Sequence, residues 1–250
     1  MKIVVIGGTG LVGSKVTSKL ADDGHESVAA SPDTGVNTLT GEGLDAVLAG
    51  ADVVVDLSNS PSFADQDVLD FFTTSTTNLM KAESVAGVGH HVALSIVNND
   101  RIPDSGYMRA KVAQERIIRE SGNEYCIVRA TQFFEFTRSI AQAATVDGIV
   151  RLPAVAFQPI AAEDVARVVA RMAVGKPING VLDIAGPTRY RFNEFIAQAL
   201  TALGEPAEVV ADEHARYFGT ELQQLSLVPG DGAELGSITF EDWLTHQAVK

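Results

Sequence analysis

The sequence predicts a doubly wound α/β fold: a parallel sheet with helices on both faces, followed by a small C-terminal lobe. Three observations predict it. The chain opens on a short β-branched apolar run, Lys2-Ile3-Val4-Val5-Ile6, which stops at glycine. Runs of this kind alternate with segments of helical periodicity as far as about residue 135, and that alternation implies parallel pairing through right-handed crossovers. A glycine-rich stretch, Gly7 to Gly13, occupies the first strand-to-helix junction.

The first run reads as a strand buried on both faces. In Leu11 to Ala21, Leu11, Val12, Val16 and Leu20 recur at helical spacing and Gly24 ends the segment. Ser27 to Ala30 reads as a strand, Leu44 to Leu48 as a short helix, and Asp52 to Leu57 as a buried strand. Helical periodicity runs from about Asp65 to Val85, with a strand over His91 to Ile96. A helix over Tyr107 to Glu120 and a strand over Glu124 to Arg129 follow. Residues 1–135 are therefore expected to form the nucleotide-binding core. Residues 136–250 are expected to complete it and to form a substrate-binding lobe. That second part has helices at Ala162–Ala173, Arg191–Leu203 and Phe240–Gln247 and a strand at Gly180–Ile184.

Of 250 residues, 46% are hydrophobic and 20% charged, and the formal charge is −13, with the basic residues scattered. A nucleic-acid binder concentrates Lys and Arg to displace counterions, so no nucleic-acid partner is expected. No apolar run approaches the roughly 20 residues that span a bilayer, and the glycines after Ile6 interrupt any signal-peptide pattern, so no membrane partner is expected either. The single cysteine, Cys126, lies in an apolar run and reads as a buried thiol. A cytoplasmic location is the simplest expectation.

Gly7, Gly10 and Gly13 have the spacing G-x-x-G-x-x-G within Gly7-Gly8-Thr9-Gly10-Leu11-Val12-Gly13. Such glycines permit a sharp turn, close approach of backbone to a pyrophosphate, and tight packing of helix on sheet. The helix start adds free N–H groups and partial positive charge. In this βαβ setting the pattern points to a dinucleotide, with contacts from Thr9, Leu11 and Val12.

The loop resembles that of the atypical and extended short-chain dehydrogenase/reductases, whose sheet is of the Rossmann type. Tyr107-Met108-Arg109-Ala110-Lys111 is Y-x-x-x-K on an expected helix, and Ser95 ends an expected strand 12 residues earlier. This resembles the family's serine-tyrosine-lysine arrangement. The resemblance implies Tyr107 as proton donor, Ser95 as the group that polarises a carbonyl, and Lys111 as the cation that favours phenolate and binds the nicotinamide ribose. The stretch Tyr107 to Glu115 and the run Arg129-Ala130-Thr131-Gln132-Phe133-Phe134 are similar to the NmrA-like and isoflavone-reductase-like branch. Pro159-Ile160-Ala161-Ala162-Glu163-Asp164-Val165-Ala166 resembles a stretch shared with nucleotide-sugar epimerases. The family's helix asparagine has no evident counterpart.

The second strand ends at Ala30-Ser31-Pro32-Asp33. Ser31 stands roughly where related NADPH enzymes have arginine, so NADP(H) is preferred, with NAD(H) the alternative. Leu57, Ser58, Asn59 and Thr131 are further expected cofactor contacts; Gln132, Phe133 and Phe134 are expected near the substrate, with core packing an equal reading for the rings. His90-His91 points to opposite faces of a strand, so no metal site is expected. Asp52 and Asp56 read as strand ends. The leading expectation is an NAD(P)H-dependent reductase of a small carbonyl, quinone-like or conjugated substrate. A non-catalytic NADP-binding redox sensor of the NmrA type is the alternative, and a nucleotide-sugar epimerase or dehydratase is a weaker one. The resemblance also implies that the helices at Asp65–Val85 and Tyr107–Glu120 form a homodimer surface.

Overall fold

The computed structural model describes residues 1–247. Its first half follows the expected alternation: β1 (Lys2–Ile6), α1 (Leu11–Asp22), β2 (Glu26–Ala30), α2 (Leu44–Leu48), β3 (Val53–Asp56), α3 (Asp65–Ala86), β4 (His90–Ile96), α4 (Gly106–Glu120) and β5 (Tyr125–Ala130). The second half contains α5 (Thr137–Ala143), β6 (Thr145–Val146), β7 (Ile149–Leu152), β8 (Ala156–Phe157), α6 (Ala162–Val174) and β9 (Gly180–Ala185). It continues with β10 (Tyr190–Arg191), α7 (Phe192–Ala202), β11 (Val209–Ala211), β12 (Arg216–Tyr217), β13 (Thr220–Glu221), β14 (Glu234–Leu235) and α8 (Phe240–Gln247).

The main sheet has seven strands in the order β14-β9-β5-β4-β3-β1-β2, and every pairing in it is parallel. Strand alternation sends Ile3 and Val5 to the face covered by α1 and α6, and Val4 and Ile6 to the opposite face. With α3 and α4 on that second side, the inner strands carry apolar residues on both faces, as a parallel sheet buried on both sides requires, with Asp56, His90, His91, Ser95 and Arg129 as polar exceptions. Strands β9 and β14 and helix α6 all come from beyond residue 135, so the C-terminal half widens the main sheet.

A second core is built from rings: Phe134, Phe157, Phe192, Phe195, Phe240 and Trp243 pack together under the small strands. Asp164, 1% exposed at the start of α6, ties this lobe to the sheet. Its carboxylate accepts the Ser237 and Ile238 amides, both at 2.9 Å, and pairs with Arg167 at 2.8 Å. The stretch that resembles the epimerases therefore has a structural reason in this fold. Glu135 makes a second tie, accepting Trp243 Nε1 at 2.9 Å and capping α6 through the Ala162 amide at 3.1 Å.

Candidate functional site

The site lies along the carboxyl edge of the sheet, where the loops after β1, β2, β3, β4 and β5 converge. Each glycine at the first turn has its own role. Gly7 takes φ +73°, and a Cβ there would stand 2.8 Å from the Leu57 carbonyl oxygen, so the turn lies against the loop after β3. Gly8 lies on the neighbouring strands: a Cβ would be 2.7 Å from both Val5 O and Ala29 Cα. Gly13 packs on the turn itself, where a Cβ would be 2.8 Å from Gly8 Cα and would overlap the Gly7 carbonyl. Gly10 is exposed and leaves the approach to the helix start open. The motif reading did not single out Gly8, although a second consecutive glycine at a strand end was the available signal.

The first backbone bond of α1 runs from the Ser14 amide to the Gly10 carbonyl at 3.0 Å. The amides of Leu11, Val12 and Gly13 thus precede the helix ladder, in the place where a helix accepts an anion. Thr9 and Leu11 are exposed beside them, while Val12 is buried. The turn is fixed to β2 by the Gly7 amide, which donates to Ala30 O at 2.8 Å. The next residue, Ser31, is 6% exposed and its hydroxyl has no partner. At the other end of the edge, the Thr131 hydroxyl and the Gln132 side-chain carbonyl are likewise buried without partners. Among the described residues eleven buried side-chain polar atoms lack a partner; these three follow β2 and β5 at the carboxyl edge of the sheet, where a polar ligand can pair them. An open amide cradle flanked by unpaired hydroxyls suits the pyrophosphate, ribose and amide groups of a nicotinamide dinucleotide.

Past the Leu57 carbonyl, the loop turns on Asp56, whose carboxylate accepts the Ser58 amide at 3.0 Å and the Ser58 hydroxyl at 2.6 Å. This delivers Asn59 to Tyr107, whose hydroxyl donates to Asn59 Oδ1 at 2.7 Å. One turn along the same face of α4, Lys111 is 4% exposed. It donates to Leu94 O at 2.9 Å and to Gln114 Oε1, and lies 4.3 Å from the centre of the Phe72 ring. Gln114 in turn donates to Asp56 Oδ2 at 3.0 Å. A buried polar chain therefore runs from Lys111 through an amide to the carboxylate of the cofactor-side loop. Asp56 and Gln114 were missed as site residues. Gln114 follows Lys111 at the i+3 spacing that places two helix residues on one face, which was the signal available.

Burial lowers the Lys111 pKa to about 8, even though the Asp56 and Glu115 carboxylates pull it upward. Burial also raises the phenol of Tyr107 well above its usual range. In this structure the Lys111 ammonium is directed to Leu94 and Gln114, and the Tyr107 hydroxyl donates to Asn59.

Ser95 is also placed differently from expectation. It is 3% exposed, and its hydroxyl donates to Glu115 Oε1 at 2.7 Å. Glu115, itself 1% exposed, takes in addition the Asn99 amide at 2.7 Å and both ends of the Arg129 guanidinium at 2.7 and 2.8 Å. Burial alone would raise the Glu115 pKa, but Arg129, Ser95 and Asn99 hold it below the usual value. A hydroxyl has one proton to donate, and that of Ser95 is committed to Glu115.

The expected ring cluster divides. Phe134 is 1% exposed within the second core, where it touches Phe195, Phe240 and Trp243, in keeping with the core-packing reading. Phe133 is half-buried and stacks on Phe136, itself 44% exposed, at 5.1 Å. Three rings surround Tyr107 instead: Phe63 at 5.7 Å, Phe72 at 6.0 Å and Phe218 at 5.7 Å. The two adjacent histidines point to opposite faces, His90 toward Cys126 Sγ at 3.2 Å and His91 toward Glu83 at 2.8 Å. Cys126 is buried and free. No helix among the described residues is long and apolar enough to cross a membrane.

Residues 7–174 match a family model described as NAD(P)H-binding, and the chain belongs to that family. It is 29% identical over 223 residues to a (4-alkanoyl-5-oxo-2,5-dihydrofuran-3-yl)methyl phosphate reductase of Streptomyces griseus, covering 82% of this chain and 74% of that protein. Among solved structures, it superposes with a TM-score of 0.74 on a short-chain dehydrogenase/reductase superfamily protein from Agrobacterium tumefaciens with bound NAD, at 18% identity over 100% of this chain and 96% of the other. It also superposes on an NADPH-dependent quinone oxidoreductase from Escherichia coli, with a TM-score of 0.65 and 16% identity over 98% and 99% of the two chains. At these identities the two structures speak for the fold alone.

Proposed function

We propose that this NAD(P)H-binding protein is a cytoplasmic reductase of the short-chain dehydrogenase/reductase superfamily, with Tyr107 as the proton donor to a small carbonyl, quinone-like or conjugated substrate. The observation that carries this reading is the short path from cradle to phenol. Gly7 packs on Leu57, Ser58 turns on Asp56, and Asn59 meets the Tyr107 hydroxyl at 2.7 Å. A dinucleotide held on the cradle would extend along the same edge toward that phenol. The reductase similarity of the Streptomyces relative supports the direction of the reaction.

The amides at the start of α1 would hold the pyrophosphate, and the unpaired Ser31 hydroxyl would meet the adenosine ribose or its 2′-phosphate. Absence of a carboxylate at position 31 supports NADP(H) over NAD(H). Thr131 and Gln132 would satisfy their unpaired atoms on the nicotinamide side. Bound there, the nicotinamide supplies the hydride. Tyr107, neutral across the physiological range, would shift its hydrogen bond from Asn59 to the substrate oxygen and give up its proton as negative charge builds there. Lys111 and Gln114 would support the phenol from behind, linked to Asp56. Ser95 would act through Glu115 and Arg129, positioning α4 against β5.

The test is Tyr107→Phe, assayed by NADPH oxidation against a panel of quinones, diketones and conjugated aldehydes. Turnover should fall by about 100-fold or more, while NADPH binding stays within about twofold of wild type. Undiminished turnover in the variant refutes the assignment, and tighter binding of NADH than of NADPH refutes the cofactor preference.

A further inference from the structure

The lobe meets the candidate site at Phe218, whose ring stacks on Tyr107. Strands β12 and β13 pair with Arg216 opposite Glu221 and Tyr217 opposite Thr220, so Phe218 and Gly219 form a two-residue hairpin turn. Both are left-handed, Phe218 with φ +48° and Gly219 with φ +81°. A turn of this kind calls for Asn, Asp or Gly at its first position, and a phenylalanine there is a strained choice. Among the described residues four non-glycines have positive φ, and the other three, Asn98, Asp147 and Asn179, are types that tolerate it. Strain retained at one bulky residue beside a cleft asks for a functional reason.

Burial in the core does not supply that reason. Tyr217 is 8% exposed and edge-on to Phe192 at 5.5 Å. Phe218, in the turn itself, stays 42% exposed; its ring meets Tyr217 edge-on at 4.7 Å and lies over Tyr107 at 5.7 Å with an interplanar angle of 22°, near Phe63 at 5.9 Å. The chain that follows the hairpin is held from the core. Asn98, two residues after β4 and itself left-handed with φ 58°, has its amide nitrogen within hydrogen-bond distance of the carbonyls of Leu225, Ser226 and Val228 at 3.2, 3.2 and 2.7 Å. One left-handed residue thus pins the segment that begins four residues after β13, and through it the hairpin that carries the other.

We infer that Phe218 is a specificity-determining residue, an aromatic wall over Tyr107 that selects a flat, uncharged, conjugated ring, and that Asn98 is its positioning residue. The inference rests on the proposed role of Tyr107 and names the class of substrate it serves. A carbonyl that replaces Asn59 as acceptor of the phenol must lie alongside the Phe218 ring, where a planar π-system gains stacking contact and a hydrated polyol loses water for nothing in return.

The experiment uses the full chain with NADP bound, 2-naphthol as the planar probe, and the variants Phe218→Asn and Asn98→Ala. Phe218→Asn should weaken 2-naphthol binding by about tenfold or more, leave NADPH affinity unchanged, and keep Tm within about 2 °C of wild type, because Asn suits the turn that Phe strains. Asn98→Ala should weaken the same probe with Phe218 intact. Equal naphthol binding by wild type and Phe218→Asn overturns the proposal, as does a wild type that does not bind naphthol. So does a fall in Tm of several degrees with binding unchanged, which would make Phe218 a packing residue. If NADPH fails to bind while the naphthol difference survives, the dinucleotide reading falls and Phe218 stands.

Discussion

A single methyl group at Gly13 should separate cofactor binding from general stability. The Cβ of Gly13→Ala would stand 2.8 Å from Gly8 Cα and overlap the Gly7 carbonyl, so the Gly7 carbonyl must retreat by about 1.4 Å to restore ordinary contact. Both neighbours are main chain, so rotamer changes offer no relief. Overpacking of this kind costs about 1–3 kcal/mol, and at this chain length each kcal/mol lowers Tm by about 2–4 °C. The displaced atoms belong to the turn that sets the α1 amides, and losing one hydrogen bond to a charged phosphate costs about 1.5–3 kcal/mol. The Kd for NADPH should therefore rise by at least about tenfold. Gly24→Ala is the control: its φ of +81° makes it strained, yet nothing lies within 4 Å of its Cβ and it sits at the far end of α1. It should lower Tm by a comparable few degrees and leave NADPH binding intact. Thermal unfolding and a fluorescence titration of NADPH read both quantities. Wild-type affinity in Gly13→Ala would refute the assignment of the cradle.

Other perturbations test the surroundings. The Lys111 pKa falls from its ordinary value to about 8, so between about pH 8 and 10.5 the unfolded chain holds more protons than the native one, and the group's contribution makes stability rise with pH. Lys111→Met should remove that rise, which amounts to on the order of 3 kcal/mol; denaturant titrations of both proteins at pH 7 and 10.5 check it, and parallel pH dependence would show that the lysine is not desolvated. Asp164→Ala should unpin Ser237 and Ile238, costing about 1–3 kcal/mol for amides left without their acceptor, while the half-exposed Arg167 turns to solvent. Its Tm should drop by roughly 2 °C or more, with NADPH affinity at 15 °C unchanged.

The order of the main-sheet elements was legible because two-sided burial leaves a strong local mark. Lys2–Ile6, Val53–Asp56 and Tyr125–Ala130 are short β-branched runs that differ plainly from the helical spacing between them. The lobe was less legible. Strands such as Ala156–Phe157 and Thr220–Glu221 hold two residues each, too few for a period, and α5 followed a ring cluster that gave no helix start signal. At the site, Y-x-x-x-K spacing placed Tyr107 and Lys111 on one helix face, as found. The spacing from Ser95 carried no direction. A strand residue faces one side or the other, and Ser95 faces α4, where Glu115 takes its proton. In the same way, neighbours Phe133 and Phe134 went to different surroundings because adjacent side chains diverge, which composition cannot assign.

The buried lysine is the strongest sign that this edge is built for more than folding. Lys111 gives up hydration, keeps a depressed pKa, and is linked to the Asp56 carboxylate through the amide of Gln114. If stability were the sole requirement, an apolar residue of similar length on Phe72 would be as good or better. A direct Lys111–Asp56 pair would also neutralise the charge, but it would draw the ammonium toward the cofactor-side loop and away from the helix turn below Tyr107. The interposed amide keeps the cation on the Phe72 ring, which also packs on Tyr107, while Asp56 remains free to fold the loop through Ser58. Charge and loop geometry are thus coupled without being in contact. A change at Asp56 should be felt at Tyr107 by two routes, through Ser58 and Asn59 on one side and through Gln114 and Lys111 on the other. The sheet edge therefore behaves as one unit, in which the residues that shape the cofactor turn also set the environment of the proposed proton donor.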